Sequence, residues 1–198
     1  MNAIDICNMA LAYLNNGRIN SLDEDSTAAK ACRLHYDHLR RRLLRMYSWG
    51  FAAKIEKLAM LNDKAPGYDY AYSYPSDCIA MRFVFDEDHA DKMQEERQDF
   101  AIVQLGTGSR TILTNVALAY GLYTADIKQP EMFSEEFIDA LAHLLASTMA
   151  MTLSGSTDLQ NINLQLSQNA IDVARYQDAI EQQRKTRYPH GYADARFR

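Results

Sequence analysis

The segment PEMFSEEFIDALAHLLASTMAMTLSG, residues 130–155, is the stretch of sequence that decides the fold. From Phe137 onward its large apolar residues recur at steps of three and four, which is helix spacing, and alanines fill most of the remaining surface. Pro130 suits the first turn of such a helix, Glu131, Glu135 and Glu136 suit its positive N-terminal end, and Gly155 provides its stop. Because a helix that is apolar on nearly all sides must be surrounded, we expect this one to lie at the centre of the core.

Three more helices are expected around it. Residues 2–14 and 27–49 show the same three- and four-residue spacing, and a short acidic run precedes the second of them, as suits a helix N-terminus. Residues 157–185 predict a long amphipathic helix that closes the bundle from one side. Its apolar stripe repeats at heptad spacing and comprises Leu159, Leu166, Val173 and Ile180.

Residues 51–125 differ from the helical segments in composition and in the spacing of their apolar residues. β-Branched and aromatic residues alternate there with turn-forming dipeptides such as Pro66-Gly67, a pattern typical of short strands. The alternation from Tyr68 to Tyr74 places four tyrosines on one face of a strand. Such a face is more typical of a core or an interface than of a base-stacking platform. We expect a small sheet inserted between two helical segments.

These patterns together predict a mainly α protein, a four-helix bundle with a small inserted antiparallel β element and an extended C-terminal arm. One domain would cover residues 1–185, with helices in 1–49 and 130–185 and the β element in 51–125. Residues 186–198 would form a flexible arm, because Pro189 and Gly191 break the preceding helix and the segment has no apolar periodicity.

Composition excludes several classes of function. The 198 residues include 26 acidic and 21 basic side chains, a net charge of −5, so the chain lacks the basic footprint of a nucleic-acid-binding protein. Its three cysteines form no CxxC pair, which favours a reducing compartment. The N-terminus lacks the features of a signal peptide, and no apolar run reaches the ~20 residues that span a bilayer. We expect no membrane association.

No pattern indicates a catalytic, cofactor or metal site. Gly106-Thr107-Gly108 lacks the Gly-Lys-Ser/Thr ending of a phosphate-binding loop and is more typical of a hairpin turn. Glu135 and Glu136 are adjacent on a helix, so they point ~100° apart and cannot face each other across a scissile bond. The series Cys32, His35, His38 diverges around its helix and does not converge on one metal ion.

A basic run marks the second helix. Arg40-Arg41-Arg42 and Arg45 fan around the cylinder, which favours a solvated or salt-bridging face over a phosphate-binding stripe. Two of these side chains, one turn apart, could meet an acidic loop of a neighbouring copy. The predicted intersubunit interface pairs Arg41 and Arg45 with Asp23, Glu24 and Asp25.

Nine short strings carry a family resemblance by their order and spacing. They are AIDICNMAL (3–11), INSLDE (19–24), AAK (28–30), LLR (43–45), WGFA (49–52), YSYPSDC (72–78), TN (114–115), PEMF (130–133) and FIDALA (137–142). In this order the chain, over roughly residues 3–181, resembles the phage head-to-tail adaptor proteins, also called tail tubular protein A or tail accessory factors. None of the strings is catalytic.

The resemblance implies a structural role without enzymatic activity. About twelve copies would form a ring on the portal protein, extend the DNA channel and provide the docking surface for the next tail protein. The protein would assemble in the cytoplasm of the host bacterium and end in the neck of the virion. DNA would pass through the ring without specific binding, and no cofactor is implied.

The C-terminal arm is the predicted portal-docking element. Its aromatic residues offer rigid contact area and its arginines can bind carboxylates of an acidic partner. The predicted docking residues are Arg187, Tyr188, Tyr192, Arg196, Phe197 and Arg198. Two other functions stay open: a virion-associated peptidoglycan hydrolase, and a helical interaction module unrelated to phage.

Overall fold

The computed structural model describes residues 1–63, 65–90, 98–105 and 108–182. These ranges contain four α-helices and seven β-strands. The helices are α1 (Ala3–Tyr13), α2 (Thr27–Met46), α3 (Glu135–Leu153) and α4 (Thr157–Glu181). The strands are β1 (Ala53–Lys57), β2 (Met60–Leu61), β3 (Tyr70–Ser73), β4 (Cys78–Phe85), β5 (Phe100–Leu105), β6 (Ser109–Thr114) and β7 (Tyr120–Ala125).

The prediction of a mainly α four-helix bundle is wrong. The fold is mixed α/β: of the residues that the structure describes, 49% are helical and 23% are in strands, which form two antiparallel sheets. The physical reason is that residues 51–125 are not a small attachment to the bundle. They build a second hydrophobic core of their own, around Tyr72, Ile112 and Tyr123, beside the larger helical core.

The helical core is organised around α3, as its composition predicts. Phe137, Leu141 and Leu145 are fully buried, and α3 packs on α1, α2 and α4. The helix begins later than expected, because residues 130–132 form a separate 3₁₀ turn and the Ser134 side chain caps α3 by accepting a hydrogen bond from the backbone N–H of Phe137. The short turn at Gly155 makes α3 and α4 antiparallel neighbours.

The two sheets are antiparallel and pair strands that are distant in sequence. One sheet has the order β1-β7-β4 and the other β2-β3-β6-β5. Three of the four tyrosines, Tyr70, Tyr72 and Tyr74, lie in or against the second core, as expected for a core or interface face, whereas Tyr68 is not part of it. Tyr72 is the most buried, and its hydroxyl donates to the Val116 carbonyl oxygen (2.8 Å) and accepts from the Ala119 N–H (3.3 Å).

A buried asparagine, Asn8, connects two of the segments quoted for the family resemblance, residues 3–11 and 19–24. The Asn8 side chain donates to the Ile19 carbonyl oxygen (3.0 Å) and accepts from the Ile19 N–H (2.9 Å). This two-bond clamp fixes the loop between α1 and α2 against the core, since both backbone groups of Ile19 would otherwise be buried without partners. The strings at 3–11 and 19–24 therefore form one structural unit.

The expected orientation of α4 is wrong. Leu166, Val173 and Ile180 of the predicted apolar stripe are exposed to solvent instead of closing the bundle. Apart from Ile171, the residues that α4 buries are small or polar: Asn163, Ser167, Ala174 and Asp178. They fit the alanine-rich surface of α3, where small side chains allow a close approach of the two helices. Heptad spacing identifies residues that share a face but not which face is buried.

No helix within the described ranges is long and apolar enough to cross a membrane.

Candidate functional site

Two arginines join the helical part to the sheet part. Arg45, near the C-terminus of α2, donates from Nη1 to the Ile79 carbonyl oxygen on β4 (2.9 Å). In the opposite direction, Arg82 of β4 donates from Nη2 to the carbonyl oxygens of Arg45 (3.0 Å) and Tyr47 (2.7 Å). Burial, reinforced by the positive charge of Arg45, lowers the pKa of Arg82. These bonds satisfy carbonyls at the end of α2 and fix that end on the sheet.

A basic groove lies at this junction. It has a volume of about 560 Å³, with α2 on one side and strands β4 and β6 on the other. Its lining consists of Asp37, His38, Arg41, Arg42, Arg45, Cys78, Ile79 and Arg110. The single carboxylate of the lining, Asp37, already accepts from Arg40 (3.2 Å), so the groove has an excess of positive charge.

Most arginines of the groove lack a close carboxylate partner. Arg42 and Arg45 make no ion pair within the described part of the chain, and Arg110 lies over the Tyr74 ring, 5.5 Å from its centroid. Arg41 reaches only 3.8 Å from Asp126 Oδ2. This face of α2 can therefore accept carboxylates from outside the chain.

Arg40 does not belong to this exposed face, contrary to the sequence-based expectation. It is only 1% exposed, and Nη1 donates to Asp126 Oδ1 (2.7 Å) and to the Ile127 carbonyl oxygen. Asp126 follows the last strand of the β region, so this buried ion pair is a third link between helices and sheets. Nothing in the local sequence around Arg40 distinguishes it from its basic neighbours.

The predicted acidic partners lie at the other end of α2. Glu24 accepts the backbone N–H groups of Asn20 (2.7 Å) and Ser21 (3.1 Å), so its carboxylate stabilises its own loop. The side chains of Asp23 and Asp25 are more than 90% exposed; Asp23 lies 3.8 Å from Arg33, and Asp25 forms a close ion pair with Lys30 of α2.

The structure does not bring the predicted interface residues together within one chain. Arg41 and Arg45 are one turn apart on α2. Asp25, however, lies about 24 Å from Arg41 along the helix axis. Their pairing between copies stays a prediction. The predicted portal-docking residues, 187–198, lie outside the described residues.

A second surface, which sequence reasoning assigned to the core, is the exposed face of α4. We call it the α4 seam. It follows a heptad pattern of alternating three- and four-residue steps and comprises Ile162, Leu166, Asn169, Val173, Tyr176 and Ile180, whereas Leu159, one step earlier, is partly buried against the helical core. Ile162 is 51% exposed, Val173 52% and Tyr176 66%. Residues 159–171 contain no charged side chain.

A polar latch fixes the end of α4 beside the end of α2. The Gly50 N–H donates to Asp178 Oδ1 (2.7 Å), and Gln182 Nε2 donates to the Ser48 carbonyl oxygen (3.1 Å). A Cβ at position 50 would lie 3.2 Å from Asp178 Oδ1, so glycine permits this approach. The latch places the C-termini of α2 and α4 together. Cys32, early in α2, contacts Met149, late in α3, and Trp49, just after α2, contacts Phe137 at the start of α3, so α2 and α3 are antiparallel. Since α3 and α4 are antiparallel as well, α2 and α4 run in the same direction.

The sheets bring two carboxylates together. Glu56 Oε2 and Asp77 Oδ1 each lie 2.9 Å from the Tyr123 hydroxyl, and Lys54 Nζ lies 3.0 Å from Glu56 Oε2 and 2.9 Å from Asp77 Oδ2. Hydrogen bonds from Lys54 and then Tyr123 lower the pKa of Glu56. For Asp77, burial opposes ionisation, but the bonds from Lys54 and Tyr123 outweigh it and lower the pKa.

Comparison with known proteins adds no assignment. A scan against protein-family models finds no match, and a search of curated proteins finds no significant similarity. Within the described ranges, no group of three His, Cys, Asp or Glu side chains is placed to hold a metal ion.

Proposed function

We propose that this chain is a structural subunit of a phage head-to-tail adaptor, one copy in a ring of about twelve on the portal vertex. In this role it extends the DNA channel and offers a docking surface to the next tail protein. The proposal draws on the nine resembling strings, and the observation that carries it is the α4 seam.

The α4 seam supports an assembly role because most of the large apolar side chains of α4, other than Leu159 and Ile171, are exposed to solvent. A helix of a free-standing globular protein buries its apolar stripe and exposes its charges. Here the exposed face is the more apolar one, and 13 consecutive residues, 159–171, carry no charge. Apolar patches depleted of charged residues are typical of the centres of protein interfaces.

A ring also needs two different faces on each copy. Identical subunits that meet head to tail close into a ring when their rotation divides the circle, and this contact uses two distinct surfaces of each subunit. The basic outer face of α2 and the α4 seam are two such surfaces, since α3 packs between α4 and the pair formed by α1 and α2.

The first test is co-assembly with a portal. Co-expression with the portal protein encoded in the same phage or prophage genome should yield a complex that survives gel filtration. Negative-stain images should show an additional ring of about twelve copies on the portal, because the portal templates ring closure. The portal expressed alone is the control. A chain that elutes separately from intact portal under these conditions contradicts the adaptor function.

One observation favours the hydrolase alternative: the carboxylates of Glu56 and Asp77 lie close together. Glycoside hydrolysis needs one carboxyl that stays protonated near neutral pH, which requires a raised pKa. Lys54 and Tyr123 shift the pKa of both carboxyls in the opposite direction, so both are ionised at neutral pH. We interpret the cluster as an ion-pair network that links β1, β7 and the start of β4.

This interpretation predicts that the purified protein clears no zone in a peptidoglycan zymogram between pH 5 and 8, with hen lysozyme as the positive control. A cleared band that disappears in Glu56→Gln would establish the hydrolase instead. The remaining alternative, a helical module unrelated to phage, is favoured if neighbouring genes encode no portal or tail protein.

A further inference from the structure

We infer that the α4 seam of one copy packs, parallel and side by side, on the outer face of α2 of the next copy, with Asp172 opposite Arg41 and Arg42. The outer face of α2 comprises the exposed residues Lys30, Leu34, Asp37, His38, Arg41, Arg42 and Arg45, of which Asp37 already accepts a hydrogen bond from Arg40. The inference rests on the proposed ring, because it assumes neighbours related by a small rotation.

The direction of the two helices follows from the fold and from ring geometry. Within one copy α2 and α4 run the same way, because the latch joins their C-termini. Neighbours in a ring of about twelve copies are rotated by about 30°, so α4 of one copy stays within about 30° of parallel to α2 of the next. Helices that cross at about 20° pack well along their length.

The charges match at this alignment. Asp172 lies about 9 Å along α4 from Asp178 at the latch, and Arg42 lies about 6 Å along α2 from its end at Met46. A lateral displacement from one copy to the next therefore brings Asp172 to the level of the arginines. At the other end of the helices, Asp158 lies about 30 Å along α4 from Asp178, and Lys30 lies about 24 Å along α2 from Met46.

The side chains between these charged ends also fit. The uncharged stretch 159–171 comes opposite Leu34, which is 71% exposed and has no apolar role in its own chain. The aliphatic stems of the arginines and Lys30 can lie on the α4 seam while their charged ends reach carboxylates or the amide oxygens of α4. Asp172 is free to change partners, because its present ion pair with Arg175 is long (3.7 Å) and exposed.

This contact competes with the predicted one. In the side-by-side arrangement, Arg41 forms an ion pair with Asp172 of the neighbour. In the arrangement expected from sequence, Arg41 pairs with Asp23 or Asp25 instead. The second requires copies to meet end to end along α2, since the acidic loop is at the opposite end of that helix.

A charge swap tests the inference, with assembly on the co-expressed portal as the readout. Asp172→Arg should reduce ring formation at least about tenfold, because it sets like charges against each other across the contact. The double variant Asp172→Arg/Arg42→Asp should restore assembly to within about threefold, since each copy then carries the reversed pair. Asp63→Arg, the same charge change at an exposed position outside both faces, is the matched control.

Each outcome decides the matter. Assembly of Asp172→Arg at the wild-type level, or failure of Arg42→Asp to rescue it, overturns the inference. Rescue of Arg41→Asp by Asp23→Arg or Asp25→Arg, but not by Asp172→Arg, overturns it in favour of the end-to-end contact. Failure of the unmodified chain to form rings contradicts the proposed function itself. Unchanged melting temperatures, expected at these exposed positions, separate loss of assembly from loss of folding.

Discussion

Arg40→Met should lower the free energy of unfolding by about 3 to 5 kcal/mol. The guanidinium is buried, and its loss would leave the Asp126 carboxylate, with a side chain only 15% exposed, without its closest cation. The Ile127 carbonyl oxygen would lose a donor at the same time. A buried charge or carbonyl without a partner keeps its desolvation penalty, which is why removal of one member of such a pair is costly.

Urea denaturation followed by far-UV circular dichroism measures this effect. Arg41→Met is the matched control, because that side chain is 59% exposed and its ion pair is long, so a change below about 0.5 kcal/mol is expected. The double variant Arg40→Met/Asp126→Leu should recover much of the loss, since apolar residues can replace a buried ion pair. A single variant within about 1 kcal/mol of the unmodified protein would mean that water or Arg41 takes over the role of Arg40.

The helices could be predicted from the sequence because the information that specifies them is local. Spacing places α1, α2 and α3 near their observed positions, and Asn8, which belongs to a resembling string, has a structural role. The start of α3 differs because Pro130 suits the first turn of any helix, including the separate 3₁₀ turn that it begins. Only the Ser134 cap, four residues later, marks where α3 starts.

The fold class could not be predicted because the sheets depend on distant pairs. β1 pairs with β7 across more than sixty residues, and β3 pairs with β6 across about forty. Local alternation identifies strands such as β5 and β6 but does not show that the strands enclose a core of their own. Without that core, the segment from 51 to 125 resembles a minor insert.

The sequence predicts only part of what determines the exposed faces of α4 and α2. The heptad repeat of α4 is evident in the sequence. Which side of the helix is buried, however, depends on the packing of Asn163, Ser167 and Ala174 against the alanines of α3. Two features pointed to the correct orientation: small residues recur on the other side of α4, and residues 159–171 lack charge. Burial of Arg40 had no comparable sign, since its partner Asp126 is 86 residues away in sequence.

Trp49→Ala should be as destabilising as the loss of Arg40, with a decrease of about 3 to 5 kcal/mol in the free energy of unfolding. Trp49 is the only tryptophan of the chain and is fully buried. Its ring packs edge-on against Phe137, with centroids 5.2 Å apart, and its indole N–H donates to the Leu43 carbonyl oxygen (2.9 Å). Removal of the ring leaves a cavity between the end of α2, Phe51 and α3.

The two effects of the indole can be separated by a conservative variant. Trp49→Phe keeps an aromatic ring but loses the bond to Leu43, so a decrease of about 1 to 2 kcal/mol is expected. Leu34→Ala, at an exposed apolar position, should change stability by less than about 0.5 kcal/mol and serves as the control. Circular dichroism must follow these titrations because the variants lack the tryptophan fluorescence. If Trp49→Phe is as unstable as Trp49→Ala, the hydrogen bond that caps α2 contributes more than the packing of the ring.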